Sequence, residues 1–124
     1  MYTIRIRDHI MIAHSLGNDG YFGPAEKLHG ATYIVDVTFY SKTLNDHNIV
    51  IDIAAAHQSL KNVLSPLNYK NLDEMENLKN KITTTEFMAK YIHDEIMKET
   101  ESYFNGRIKV ELGESHVAWA SYES

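Results

Sequence analysis

Three histidines lie in parts of this sequence that could build a metal or ligand site. His14 follows an apolar run, His29 opens the stretch His29-Gly30-Ala31-Thr32-Tyr33, and His116 lies near the C-terminus. Imidazole nitrogens bind divalent metals and exchange protons near neutral pH. Two glutamates, Glu26 and Glu114, lie within three residues of a histidine. These residue types are suited to metal binding or to acid-base chemistry.

The absence of cysteine limits the remaining chemistry. With no thiol among the 124 residues, disulfides, thiolate metal sites and cysteine nucleophiles are excluded. Any reaction must therefore use histidine, aspartate, glutamate, tyrosine, serine or threonine.

The length predicts one domain spanning residues 1–124. A chain with 44% apolar and 23% charged residues is typical of a globular protein. The net charge of -5, without a lysine or arginine cluster, argues against nucleic acid as a partner. No apolar run is long enough to span a bilayer, and the N-terminal residues lack a signal-peptide core. We therefore expect no membrane association and a cytoplasmic location.

The elements that must position these side chains follow from hydrophobic periodicity. A two-residue period predicts four strands, marked by Ile4 to Ile12, Tyr33 to Phe39, Ile108 to Leu112 and Ala118 to Tyr122. The glycine-rich connection 15–27 is predicted as an irregular loop.

Two helices are predicted between the strand pairs. Asp52 is the predicted N-cap of the first, which ends before Pro66. Thr83-Thr84-Thr85-Glu86 fits a capping box that begins the second. The expected fold class is α+β in ββααββ order, with open sheet edges that favour association of several copies.

Parity extends each apolar strand face to a polar residue. His14 continues the first strand, His29 and Ala31 the second, and Glu114 and His116 the third. Burying an imidazole or a carboxylate is costly unless the group is paired, metal-bound or facing a polar ligand. The pattern thus predicts a recessed site at one end of the sheet. The alternative is that each of these residues is a hydrogen-bonded part of the core or its rim.

The order of the motifs resembles the 6-pyruvoyltetrahydropterin synthase and 6-carboxytetrahydropterin synthase family over essentially the whole chain. The matching segments are His14, His29-Gly30-x-x-Tyr33, 49–52, 67–73, Thr84-Thr85-Glu86 and Glu114-Ser115. The resemblance implies the tunnelling fold, in which each subunit gives an antiparallel four-stranded sheet with two helices on one face. Three such subunits close a barrel, and two trimers stack as a hexamer with sites between subunits.

The resemblance also implies a pterin site. In the family, a glutamate on the late strand binds the pterin ring, and Glu114 matches it. A carboxylate can accept two parallel N–H bonds from the 2-amino group and a ring nitrogen. Thr84 and Thr85 match threonines that contact the pterin, with Glu86 as a further contact. For these three residues the alternative role is capping of the second helix.

The zinc site that the family implies is incomplete in this chain. Family members bind zinc with three histidines, two of them in a His-Gly-His box, and the second of those positions is Ala31. The remaining pair, His14 and His29, should hold the ion weakly, because catalytic zinc takes three protein ligands. No cofactor is therefore predicted outright. Zinc bound by His14, His29 and His116 is one alternative, and hydrogen bonds from these histidines to ligand or backbone are the other.

The proton-transfer residues of the family also differ. Its cysteine is replaced by Ala25 and its Asp-His pair by Asn68-Tyr69. An amide does not titrate, and a phenol titrates at about pH 10, so the standard synthase mechanism is not expected. Glu26 matches a glutamate that some relatives use instead of the cysteine to cleave the side chain of dihydroneopterin. Its alternative role is that of an exposed loop residue.

Two functional hypotheses follow from the sequence. The first is a pterin-binding protein of tunnelling fold without the standard synthase chemistry. The second is an active pterin side-chain lyase with Glu26 as base and a metal site rebuilt from His14, His29 and His116. A purine-like ligand is a third hypothesis, because purines present a similar N–H edge to Glu114.

Overall fold

The computed structural model describes all 124 residues. Its strands are β1 (Tyr2–His14), β2 (His29–Ser41), β3 (Lys70–Asn71), β4 (Arg107–Ser115) and β5 (Ala118–Glu123). Its helices are α1 (Ile53–Leu64) and α2 (Thr85–Thr100), with short 3-10 turns at Gly23–Glu26 and Leu72–Glu74. The predicted α+β class and the order of the long elements are confirmed.

The sheet has five strands in the order β3-β1-β2-β4-β5. The long strands pair antiparallel, whereas β3 pairs parallel with Ile12 and Ala13 of β1. The expectation of a four-stranded antiparallel sheet is therefore corrected to a five-stranded mixed sheet. A two-residue strand is too short to show an alternating pattern, so hydrophobic periodicity could not reveal it.

Both helices cover the same face of the sheet. Helix α1 packs against β1, α2 packs against β4 and β5, and the two helices contact each other. The core between them is one cluster of 22 buried apolar residues, in which the strands contribute mainly Ile, Val, Tyr33 and Phe39. Alternate residues of each strand therefore face the helices, as the two-residue period predicts.

The opposite face of the sheet is polar and is not covered by a helix of this chain. Arg7 on β1 donates two hydrogen bonds to the carboxylate of Asp36 on β2, at 2.6 and 3.0 Å. Asp36 is buried although it lies on this face.

The helices also bear on the question of a membrane. None of them is both long enough and apolar enough to cross one.

The first residues of the two helices differ in how well the sequence predicted them. Asp52 caps α1 as expected, its carboxylate accepting from the Ala55 amide at 3.2 Å. The second helix begins one residue later than predicted, because the hydroxyl of Thr84, not Thr83, accepts from the Phe87 amide at 3.1 Å. The capping box that starts at Thr83 is therefore wrong.

Candidate functional site

The antiparallel hairpin of β1 and β2 brings two of the candidate histidines together. His14, the last residue of β1, lies directly opposite His29, the first residue of β2. Their rings are 4.7 Å apart, edge to face. His14 is only 2% exposed, whereas His29 is partly exposed. The strand register thus produces an imidazole pair at the end of the helix-covered face.

Each imidazole of this pair has one nitrogen engaged by the protein. His29 Nδ1 donates to the backbone carbonyl of Lys27 at 2.8 Å, which leaves its Nε2 as an acceptor. His14 Nδ1 lies 3.0 Å from the hydroxyl of Thr83. The Thr83 hydroxyl is therefore used by a residue 69 positions away in sequence, which explains why the next threonine caps the helix.

The electrostatic surroundings of His14 favour the neutral ring. Burial, together with the neighbouring His29, lowers the pKa of His14 below 6.5. Asp73 and Glu114 act in the opposite direction with smaller effect. Asp73 is held by Ser15, whose backbone amide and hydroxyl both donate to its carboxylate.

The ring of Tyr33, a core residue, packs against that of His14. Its ring lies 6.4 Å from that of His14 and nearly perpendicular to it. The residue is fully buried, and burial raises the pKa of its hydroxyl to about 12. The sequence indicates only that Tyr33 belongs to the core and to the His29–Tyr33 motif, because strand parity does not show where a hydroxyl group lies.

Glu114 lies on β4 where the pairing with β5 shifts register between Gly113 and Ser115. Such bulges re-aim side chains and occur often beside functional sites. The Glu114 carboxylate is exposed in the single chain, yet its charge raises the pKa of both His14 and Tyr33. It therefore lies near His14 and Tyr33, at the same end of the sheet.

The three threonines at the start of α2 differ in what their hydroxyl groups contact. Thr83 is completely buried against His14, and Thr84 caps the helix. Thr85, the first helical residue, is 8% exposed, and its side chain acts against the rise in the pKa of Tyr33 that burial causes. Glu86 is exposed, and its charge also raises the pKa of Tyr33. Thr85, Glu86 and Glu114 are thus the three residues whose side chains influence the pKa of Tyr33.

The residues of one chain do not fit a three-ligand zinc site. His14 and His29 have the orientation that metal-bound histidines often show, with one nitrogen bound to the protein and the other free. Residue 31, next to this pair on β2, is an alanine, and no three His, Cys, Asp or Glu side chains cluster as metal ligands. His116 lies exposed in the turn between β4 and β5.

Glu26 lies at the end of the first 3-10 turn and is partly buried. Its carboxylate accepts from the backbone amide of Phe22 at 3.3 Å, which stabilises the loop between β1 and β2. The neighbouring Ala25 ties the same loop to its start, because its carbonyl accepts from the Leu16 amide. Glu26 therefore has a loop contact and forms no hydrogen bond with either histidine.

Asn68 and Tyr69 hold the outer edge of β1. The Asn68 carboxamide accepts from the Met11 amide at 3.0 Å, and the Tyr69 amide donates to the Met11 carbonyl at 2.7 Å. Tyr69 has a left-handed backbone, with φ of 60°, and its side chain is 78% exposed. These contacts lead directly into the short strand β3.

Comparison with solved structures finds the same fold in several proteins. The 6-pyruvoyl tetrahydropterin synthase of Caenorhabditis elegans matches with a TM-score of 0.86 and 22% identity, over 99% of this chain and 95% of that one. A Plasmodium vivax 6-pyruvoyltetrahydropterin synthase, described as a catalytic-residue mutant with glutamate changed to alanine, matches with a TM-score of 0.79 and 16% identity, over 99% and 97%. An uncharacterized protein of Wolinella succinogenes matches with a TM-score of 0.71 and 16% identity, over 98% and 97%.

Comparison at the sequence level gives the family. A search among proteins of curated function finds no match. The family model described as 6-pyruvoyl tetrahydropterin synthase matches residues 3–124, which is nearly the whole chain. The resemblance inferred from the motifs is thus confirmed, and the five-stranded sheet with two helices is this family's tunnelling fold. The chain belongs to the 6-pyruvoyl tetrahydropterin synthase family.

Proposed function

We propose that this protein binds a pterin at the end of the sheet where Glu114, Thr85 and the His14–His29 pair converge. The observation that carries the proposal is the position of Glu114. It is an exposed carboxylate at a β-bulge, and its charge raises the pKa of His14 and of Tyr33. An ionised carboxylate accepts two parallel N–H bonds, which the 2-amino group and ring nitrogen of a pterin supply.

The proposed site is completed by a second copy of the chain. Glu114 is exposed in the single chain, and a polar ligand bound there would otherwise remain largely in water. The outer edge of β1 is paired with β3 only at Ile12 and Ala13, and the outer edge of β5 has no partner. Unpaired edges of this kind favour strand pairing between copies. We propose a homo-oligomer, a hexamer built from two trimers as the family resemblance implies.

An apolar groove along the first residues of β1 supports association at this edge. It has a volume of about 450 Å³ and is lined mainly by hydrophobic residues, among them Tyr2, Ile4, Ile49 and Ile53. Ile53 is 52% exposed in the single chain. Covering such side chains with a second copy removes apolar surface from water and stabilises the oligomer.

The standard synthase reaction is not part of the proposal. Ala25 has no titratable side chain, and the Asn68 carboxamide is occupied by the Met11 amide. The Tyr69 phenol projects into solvent in the single chain. None of these three groups transfers protons near neutral pH as a thiol, a carboxylate or an imidazole does.

The test is calorimetric titration of the oligomer with neopterin, with guanine as the purine-like competitor. Glu114→Gln replaces one acceptor oxygen by an NH₂ group and should weaken neopterin binding by about 100-fold, since charge-assisted bonds contribute about 1.5–3 kcal/mol each. Glu111→Gln, on the same strand but on the uncovered face, is the matched control and should bind as wild type. Equal affinities of wild type and Glu114→Gln would refute the site, and tighter binding of guanine would favour the purine hypothesis.

A pterin side-chain lyase is the second candidate function. It is favoured by the Plasmodium vivax relative, in which a glutamate is described as catalytic, and by the earlier match of Glu26 to such a glutamate. In this alternative Glu26 is the base, and His14, His29 and His116 form the metal site.

Metal analysis and product analysis separate the two functions. Stoichiometric zinc in protein purified without chelator, together with cleavage of dihydroneopterin that Glu26→Gln abolishes, would establish the lyase. Metal-free protein that binds neopterin and leaves dihydroneopterin intact would establish the binding protein.

A further inference from the structure

The carboxylate of the proposed site belongs to a residue that neither neighbouring strand holds in place. The ladder between β2 and β4 ends at Gly113, one residue before Glu114. On the other side, β5 pairs with Gly113 and with Ser115, and the register shift between them leaves Glu114 without an opposite residue. The direction of Glu114 therefore depends on how firmly the backbone is fixed at Gly113.

Gly113 is covered by an aromatic ring from the neighbouring strand. Trp119 of β5 lies directly opposite it. A Cβ on Gly113 would lie within 3.0 Å of three atoms of the Trp119 ring, which is too close for any side chain. Only a glycine lets the ring approach the backbone in this way. The ring buries Gly113, although Trp119 itself is 47% exposed.

This contact favours the shifted pairing over a regular one. Ser115 lies opposite Ala118, so a ladder without a bulge would next pair Glu114 with Trp119. That pairing would bring Glu114 into the ladder, and it would turn the following β5 side chains to the other face of the sheet. A glycine inside a strand weakens the sheet, and an aromatic residue on the opposite strand compensates for this.

We infer that Trp119 is a positioning residue, whose ring on Gly113 holds the bulge and so aims the Glu114 carboxylate at the ligand. The inference rests on the proposed pterin site. Leu112 belongs to the core, so the adjacent Gly113 and the ring above it lie on the uncovered face of the sheet. Trp119 therefore acts through Glu114 and not by touching the ligand.

The experiment measures by calorimetry the affinity of the oligomer for neopterin. In Trp119→Ala the glycine is uncovered, and we expect the affinity to fall about fivefold, the value of one aromatic cross-strand pair. Trp119→Phe keeps a ring over the glycine and should retain most of the wild-type affinity. Ser121→Ala, two residues further along the same face of β5, is the matched control and should bind as wild type.

A double-mutant cycle tests whether Trp119 acts through Glu114. Trp119→Ala should weaken binding in the wild-type background but cause no further loss in Glu114→Gln, because the carboxylate that the ring positions is already absent. Gly113→Ala should displace the ring from the opposite side. It should also lower the affinity, and it should shift the fluorescence of Trp119, the only tryptophan of the chain, to longer wavelength.

Unchanged affinity in Trp119→Ala, an equal loss in Trp119→Phe, or additive losses with Glu114→Gln would overturn the inference while the pterin site stands. Lower stability with undiminished binding would also overturn it, because Trp119 would then serve the fold alone. If Trp119→Ala does not assemble, Trp119→Val takes its place, since valine favours strands but has no ring. Wild-type protein that binds no neopterin would overturn the proposed function and the inference with it.

Discussion

Removal of the buried Tyr33 hydroxyl should make the protein more resistant to alkaline unfolding. In the folded state burial raises the pKa of this phenol to about 12, against 10.0 for an unburied one. A group whose pKa is higher in the folded state contributes stability below its unfolded pKa, and this stability is lost as the pH rises toward the folded value. The affected range is therefore pH 10 to pH 12.

The magnitude follows from the difference between the two pKa values. About two pH units correspond to about 3 kcal/mol of unfolding free energy. Wild type should lose this amount relative to Tyr33→Phe as the pH rises through that range. At pH 7 the variant should be at least as stable as wild type, because an unpartnered buried hydroxyl has been removed.

The assay is urea unfolding followed by far-ultraviolet circular dichroism at several values between pH 8 and pH 11.5. Protomer concentration is kept fixed, because the stability of an oligomer depends on it. Tyr21→Phe is the control, since the Tyr21 side chain is 83% exposed and its loss should not change the pH dependence. Parallel stability curves for wild type and Tyr33→Phe would refute the account of Tyr33 burial.

Three other outcomes are expected. Thr83→Val should lower the unfolding free energy by about 1–3 kcal/mol, because buried His14 loses its hydrogen-bond partner. Thr84→Ala should lower it by about 1 kcal/mol, because α2 loses its N-cap. The NMR resonances of the His14 imidazole should shift in Thr83→Val only, which distinguishes the two effects. Gly106→Ala should destabilise by more than about 2 kcal/mol in urea unfolding because its Cβ would collide with the Tyr40 carbonyl. Gly30→Ala, whose Cβ would lie 3.7 Å from the Ile12 carbonyl oxygen, should cost less. Ala31→His should raise the zinc content measured by mass spectrometry, and unchanged zinc would show that the histidine pair is not a metal site.

The face of each long strand and the existence of both helices could be predicted from the sequence. Side-chain parity and helical spacing depend on neighbouring residues only, so Ile10 and Tyr33 could be assigned to one buried face before the structure was known. The same parity placed His14 and His29 at the ends of their faces, and the hairpin register puts them opposite each other.

Contacts between distant segments could not be predicted in this way. By sequence alone, Thr83, Thr84 and Thr85 are equally good N-caps for α2. Thr84 is the N-cap in the structure because the Thr83 hydroxyl is hydrogen-bonded to His14, a residue 69 positions earlier in the sequence. Likewise, the amide of Asn68 is as compatible with a loop as with the edge of β1, and only the folded chain brings it to Met11.

The sequence by itself determined the strand faces, the two helices and the family motifs, because these depend on residue type and spacing along the chain. Only the tertiary structure decides which side-chain hydroxyls form hydrogen bonds and which one, that of Tyr33, has no partner. Hydrogen bonding depends on distances of a few tenths of an ångström between residues far apart in sequence. The unpartnered hydroxyl of Tyr33 beside Thr85 is therefore a property of the fold that no local pattern encodes.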